Sequence, residues 1–181
     1  AVAEVAAQTG DMALPAAQTE GGKPLMQALR ERRSTRSFAD RPLAPQTLSN
    51  LLWAAFGVNR PDGRRTAPSA RNWQEIDVYV ALREGLFVYD ATAHALRRVL
   101  AQDVRALAGT QAHAREAPVT LVYVADERRM GHADEETRRT YAAADTGFVA
   151  QNVYLFCASE GLATVVFASI DRDRFARAAN L

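Results

Sequence analysis

The chain predicts an α+β fold, and three observations carry that prediction. Two period-two runs, EIDVYVAL (75–82) and GLFVYDA (85–91), are joined by Arg83-Glu84-Gly85 and read as a hairpin. The helical patterns stand apart from these strands instead of alternating with them, which disfavours a doubly wound sheet. No Gly-x-Gly-x-x-Gly follows a strand, so nothing supports a Rossmann dinucleotide site.

Taken in order, the elements begin after residues 1–23, which are rich in Ala, Gln and Thr, have no sustained period and read as a flexible lead. Such a lead fits either a segment behind a removed export signal, hence a periplasmic protein, or a shortened start of a cytoplasmic one. KPLMQALRERR places Pro24 at a first helical position, with Leu25, Met26 and Leu29 on one apolar face. In RPLAPQTLSNLLWAAFGVNR, Leu48, Leu51, Leu52, Ala55 and Phe56 keep helical spacing between Pro45 and Gly57. Residues 59–74 form a long polar loop, of a length usually tied to function. HALRRVLAQDVRALAG (94–109) reads as a short helical pair, and the β-branched run APVTLVYVAD (117–126) as a buried central strand. The longest helix runs from about Glu135 to Glu160 and stops at Gly161. Its second half is apolar almost all round and must be covered on every side, which predicts a homodimer interface. TVVFASI (164–170) reads as a strand, and DRDRFARAANL as a final helix capped by Asp171.

At 181 residues, with 48% apolar and 24% charged side chains, the chain is long enough for one cored domain. Its 22 basic and 21 acidic residues leave a net charge of +1, so nucleic-acid binding driven by bulk charge is disfavoured. No uncharged run is long enough to span a bilayer as a helix. The one cysteine, Cys157, forbids an intrachain disulfide and stands in the apolar run VYLFCASEGL, where it reads as a small buried hydrophobe. His94, His113 and His132 are scattered without metal-ligand spacing, and no catalytic triad or metal cluster is visible.

Three stretches invite chemistry. RERRSTRSF (30–38) packs four arginines, two serines and a threonine into nine positions at a helix exit. Guanidinium forks bind phosphate oxygens in bidentate fashion and a hydroxyl adds a bond; a solvated basic helix end, complementing the dipole, is the competing reading. In APSARNW (67–73) small residues permit close approach of a flat ligand, and Asn72 offers donor and acceptor together, although such residues are common in any loop. In EGLATVVFASID (160–171), Ala168-Ser169 leave backbone N–H groups open, as an ordinary helix-to-strand connection also would.

Together, RRSTRSF, then PSARNWQ, then DTGFVAQNVYLFCASEGLATVVFASID resemble the FMN-dependent nitroreductase family, over roughly residues 25–171. The likeness is to the small bacterial branch related to azoline oxidases. It implies a nitroreductase-like dimer with a central, mostly antiparallel sheet flanked by helices, and FMN at the subunit interface. The resemblance gives the FMN phosphate to Arg32, Arg33, Ser34 and Arg36. It lays Pro68, Ser69, Ala70 and Asn72, with Gln74, along the isoalloxazine ring, and sets Ala168 and Ser169 at its N5 edge. Ala-Ser stands where the family often has Gly or an acidic residue followed by Gly. The resemblance implies a further strand, a Gly-Tyr-Pro-like segment and another phosphate cation beyond this point. The chain ends at Leu181, so the expected unit is a single FMN-binding domain over 24–181 without that strand, its phosphate site one cation short. The implied activity is oxidoreduction: NAD(P)H gives a hydride to FMN and leaves, and a small acceptor such as a nitroaromatic or quinone takes its place. The chemistry is the flavin's, so no protein residue is expected to be catalytic. Trp73 and Phe167 are candidates for the acceptor side, and Arg64, Arg65 and Arg71 for the charge that develops on reduced flavin. The alternative is a non-enzymatic dimeric module that binds FMN or another anion through the 30–38 cluster.

Overall fold

The computed structural model describes residues 10–181. In chain order the elements are β1 (Met12–Ala13), α1 (Leu25–Glu31), α2 (Pro45–Phe56), β2 (Ile76–Leu82), β3 (Gly85–Asp90), β4 (Ala95–Leu100), α3 (Ala112–Glu116), β5 (Thr120–Ala125), α4 (Glu135–Glu160) and α5 (Arg172–Ala179). The strands form one sheet in the order β1-β4-β3-β2-β5, every pair antiparallel. This is the α+β architecture that the sequence predicts, an antiparallel sheet flanked by helices.

The side-chain alternation of β2 divides the core in two. Val78, Val80 and Leu82 face α2 and α4, where they meet Leu48, Leu52, Phe56, Val149, Val153 and Cys157. Tyr79 and Ala81 face the other way and pack with Leu86, Val104, Phe175 and Ala179. A period of two on the strand and the apolar stripe of α2 are therefore two halves of one contact.

Local chemistry fixes the helix ends. Asp134 accepts the N–H of Thr137 at the head of α4, Gly161 closes it in a left-handed conformation (φ 68°), and Asp171 accepts the N–H of Arg174 to start α5. Pro24 lies just outside α1 as its N-cap. The apolar face expected there is largely open: Leu25 and Met26 are 62% and 76% exposed, and only Ala28 is buried.

Three expectations need correcting. Residues 95–100 are a strand, not part of a helical pair: Leu96, Val99 and Leu100 fit helical spacing, but the β3 ladder claims the segment, and Arg97 crosses to Asp90 in a bidentate pair. The β-branched run at β5 is an edge strand and not a central one, since it pairs with β2 alone. Residues 164–170 join no ladder; Thr164 O accepts from Thr35 N, Ser169 O accepts from Thr110 N, and Ala168 O accepts from Ile170 N in a tight turn.

Of the expected flexible lead, residues 1–9 lie outside the described residues. Residues 10–23 touch the domain at several points. Met12 and Ala13 pair with β4, and the N–H of Lys23 donates to Ser159 Oγ. A directed chain of bonds holds Pro15. Ser49 Oγ donates to Pro15 O (2.6 Å), so it must accept from His94 Nε2 (2.7 Å), and His94 Nδ1 then accepts from Tyr89 OH (2.8 Å). Burial lowers the pKa of His94, which favours this neutral tautomer. No helix among the described residues is long and apolar enough to cross a membrane.

Candidate functional site

The 32–36 segment leaves α1 and lies beside the stretch that follows α4. The backbone bond from Thr35 to Thr164 joins the two, and one side chain of α4, Tyr154, organises the meeting. Its phenol oxygen accepts the N–H of Val166 (2.9 Å) and lies 2.8 Å from Ser34 Oγ, and the guanidinium of Arg32 sits 5.2 Å over its ring. Either hydroxyl can donate in the Ser34–Tyr154 bond, since the phenol oxygen has acceptor capacity for both Val166 N–H and Ser34 O–H. Arg33 and Arg36 are exposed and make no hydrogen bond or ion pair with a described residue, and no carboxylate among the described residues pairs with Arg32, Arg33 or Arg36. Three cations without counter-charge beside a hydroxyl make a donor set that fits a phosphate ester.

The second segment has the opposite character. Arg71, Asn72 and Gln74 all take left-handed backbone angles (φ 51°, 56° and 49°), a conformation that costs non-glycine residues about 1–2 kcal/mol each. Polar contacts hold the strain in place. Ser69 Oγ accepts the N–H of Gln74 and donates to Glu75 Oε2, while the N–H of Ala70 donates to Asp145 Oδ2 of α4. Gln74 bonds Arg65 through Oε1, and Gly63 and Asn72 through Nε2. Pro68 is exposed, and Asn72 is exposed beyond its bond to Gln74.

Third come Ala168, exposed, and Ser169, whose Oγ is buried without a hydrogen-bond partner. Of all these residues only Ala168 lines the main groove, an apolar trough of about 2220 Å³ between β5, α4 and residues 161–168. Asn72 and Gln74 line a separate hollow of about 490 Å³ with Arg65, Trp73 and Arg129. The phosphate-type cluster lines neither, and its case rests on its donors.

Within one chain the first two segments do not converge. Asp145 holds one and Tyr154 the other, nine residues apart on α4. At 100° per residue that is about half a turn in projection and about 13.5 Å along the axis. The two segments thus approach opposite faces of the helix.

The remaining candidates are committed internally. Arg65 reaches Gln74 and the carbonyl of Phe56, Arg64 pairs with Asp62, and Arg71 stacks on Trp73. Trp73 meets Tyr141 edge-on and Phe167 meets His113 likewise. Burial pushes the Cys157 thiol up to about 12, which makes it unreactive. No cluster of metal-ligating side chains occurs among the described residues. Tyr154, Glu75 and Asp145 were not expected from the sequence. For Asp145 the signal was an acid placed next to the apolar half of the helix, and for Tyr154 a phenol within that half; Glu75 gave none.

The chain is similar to known proteins. The profile of the Nitroreductase family matches residues 29–181. A candidate nitroreductase of Methanocaldococcus jannaschii is 35% identical over 151 residues, 78% of this chain and 76% of that protein. The crystal structure of a candidate nitroreductase from Ralstonia eutropha JMP134 superposes with a TM-score of 0.90 at 44% identity, covering 94% of this chain and 82% of that one. The NADPH:FMN oxidoreductase of Vibrio harveyi, solved with NAD+, shares the fold at 20% identity, with a TM-score of 0.63 over 87% of this chain and 62% of its own. The family match and the relative define the class, an oxidoreductase. The chain belongs to the nitroreductase family.

Proposed function

We propose that residues 24–181 form one FMN-binding domain of an NAD(P)H oxidoreductase that passes electrons to a small acceptor such as a nitroaromatic or a quinone. The observation that carries this reading is the uncompensated cluster of Arg32, Arg33, Ser34 and Arg36 on Tyr154. These side chains would hold the FMN phosphate, with Pro68, Ser69, Ala70, Asn72 and Gln74 against the ring and Ala168 and Ser169 at its reactive edge. FMN, when bound, supplies the hydride and electron chemistry. The protein's part is to grip the anion, to keep the ring face open behind small side chains, and to orient the backbone around it.

We further propose a homodimer. The two segments approach α4 from opposite sides, so a second copy can set its 68–74 loop beside the first copy's 32–36 cluster. Support comes from apolar surface left open by one chain: Phe148 of α4 is 47% exposed, with Leu25, Met26 and Leu29 of α1 exposed as well.

Absorption spectroscopy of the purified protein tests the reading. Yellow protein, or apo-protein that takes up FMN, should bleach with NADH or NADPH and recover its colour on adding a nitroaromatic or a quinone. Colourless protein that rejects FMN would leave the anion-binding module in its place. Sedimentation at micromolar concentration should give a dimer, and a monomer there would remove the two-copy arrangement.

A further inference from the structure

We propose that Glu75 and Asp145 share a single proton beneath the 68–74 loop, and that this proton keeps the loop in the shape that receives the flavin ring. The second half rests on the function proposed above; the first does not.

Glu75 is 0% exposed and Asp145 is 3% exposed. They hold two consecutive residues of the loop: Glu75 Oε2 accepts from Ser69 Oγ at 3.1 Å, and Asp145 Oδ2 accepts from the N–H of Ala70 at 2.9 Å. Glu75 Oε1 is buried with no donor among the described residues. An ionised oxygen in that position would forfeit its hydration for nothing. The Asp145 carboxyl serves the same turn, on the residue next to the one that Glu75 holds, and it is the charged neighbour that acts on Glu75. Two adjacent carboxylates removed from water cannot both stay charged. One proton on Glu75 Oε1, donated to Asp145, turns that repulsion into a bond and gives the orphaned atom its partner.

No cation replaces the proton. From the loop side, Arg65 is turned to Gln74 Oε1 and the carbonyl of Phe56, and Arg71 to the Trp73 ring. From the turn after β5, Arg129 is turned to the carbonyl of Gln74 and to Asp77 on β2, while Asp126 pairs with Arg128 and offers Glu75 only its backbone N–H. On α4, Tyr141, one turn before Asp145, meets Trp73 edge-on, and Arg138, two turns before it, is turned to Glu127 and the carbonyl of Gly131. Burial, followed by the adjacent Asp145, raises the pKa of Glu75 above its ordinary 4.5, in keeping with this geometry. Loss of the proton would set two negative charges beneath a segment already strained at Arg71, Asn72 and Gln74, and the strain would then release the loop.

The sign of the pH effect follows. Between the ordinary glutamate range and the raised value, the folded chain binds a proton that the unfolded chain has lost. The folding constant therefore falls as pH rises, by up to about tenfold per pH unit for one proton. Glu75→Gln keeps a donor towards Asp145 at every pH and should abolish that fall, so the ratio of its folding constant to the wild type's should grow with pH. Asp145→Asn, which offers an amide N–H to an ionised Glu75, should flatten the profile as well.

The experiment is urea denaturation of the full chain, wild type and both variants, from about pH 5 to pH 8, with a carbon-13 titration of the Glu75 carboxyl in the wild type. A neutral Glu75 carboxyl at pH 7 and diverging profiles support the shared proton. An ionised carboxyl or parallel profiles overturn it, and the titration decides even where a variant fails to fold. Riboflavin binding over the same range tests the loop: affinity that falls with pH in the wild type and holds in Glu75→Gln supports the positioning role, and equal profiles overturn it. Wild type that binds no flavin at any pH overturns the proposed function and the positioning role, and leaves the shared proton to be decided by the denaturation and titration results.

Discussion

The two segments that α4 holds use the same residue types to opposite ends. In the 32–36 cluster the cations face outward and lack counter-charges: Arg33 and Arg36 make no hydrogen bond or ion pair with a described residue, and the one side-chain anchor is a phenol. In the 68–75 loop nearly every polar group is tied inward, to two buried carboxyls, a serine and a glutamine, at the cost of three left-handed residues. A cluster that is unsatisfied by its own chain is suited to receive charge from outside. A loop that is over-tied is suited to present a fixed backbone shape, since strain persists only where the surroundings enforce it. The difference separates two experimental signatures: damage to the loop should appear first as lost stability, and damage to the cluster as lost affinity.

The largest effect falls on the loop. Asp145→Ala leaves the N–H of Ala70 without its acceptor and Glu75 without its neighbour, and should cost about 3 kcal/mol of folding stability in urea titrations. A cost under about 1 kcal/mol would mean that the loop does not depend on its carboxyls. Next comes the cluster. Arg32→Ala should weaken FMN binding by about 1.5–3 kcal/mol, as expected for a charge-assisted bond, with riboflavin binding unchanged because it lacks the phosphate. Calorimetric titration of both flavins checks this, and equal losses for the two would move the phosphate elsewhere.

How far the sequence reaches depends on whether a feature is local. The ends of α2, α4 and α5 were legible because Pro45, Gly57, Gly161 and Asp171 act within a turn of themselves. The β2–β3 hairpin was legible because its period is two. Strand β4 was not, since Leu96, Val99 and Leu100 satisfy a helix as well as a strand, and the partner β3 decides. Strand β5 misled for a related reason: a β-branched run reports that its faces are covered and says nothing of its place in the strand order. The same division runs through the site. The arginine–serine and Pro-Ser-Ala stretches carry their chemistry in contiguous residues. Tyr154 and Asp145 acquire theirs only when segments more than 70 residues away fold against α4.

A smaller test returns to the strained loop. Asn72→Ala removes the side chain best able to tolerate a left-handed angle, together with the acceptor for Gln74 Nε2. It should cost about 1 kcal/mol, and a neutral result in thermal unfolding would show that the loop relaxes freely at that point.

The smallest effect is the one that most sharply divides the two segments, because Tyr154 is the side chain that anchors the open one, beside the backbone bond from Thr35 to Thr164. Tyr154→Phe keeps the ring beneath Arg32 but deletes the oxygen that accepts from Val166 and meets Ser34. The Val166 N–H can turn to solvent at this exposed position, so the stability cost should stay within about 0.5–1 kcal/mol. The consequence for binding is more specific. The bond to the phenol restrains the Ser34 hydroxyl, and without it the hydroxyl rotates freely. FMN affinity should therefore fall severalfold, about 1 kcal/mol, with riboflavin affinity unchanged. If riboflavin weakens in step with FMN, Tyr154 does no more than pack, and the cluster has no anchor that distinguishes it from a solvated helix end.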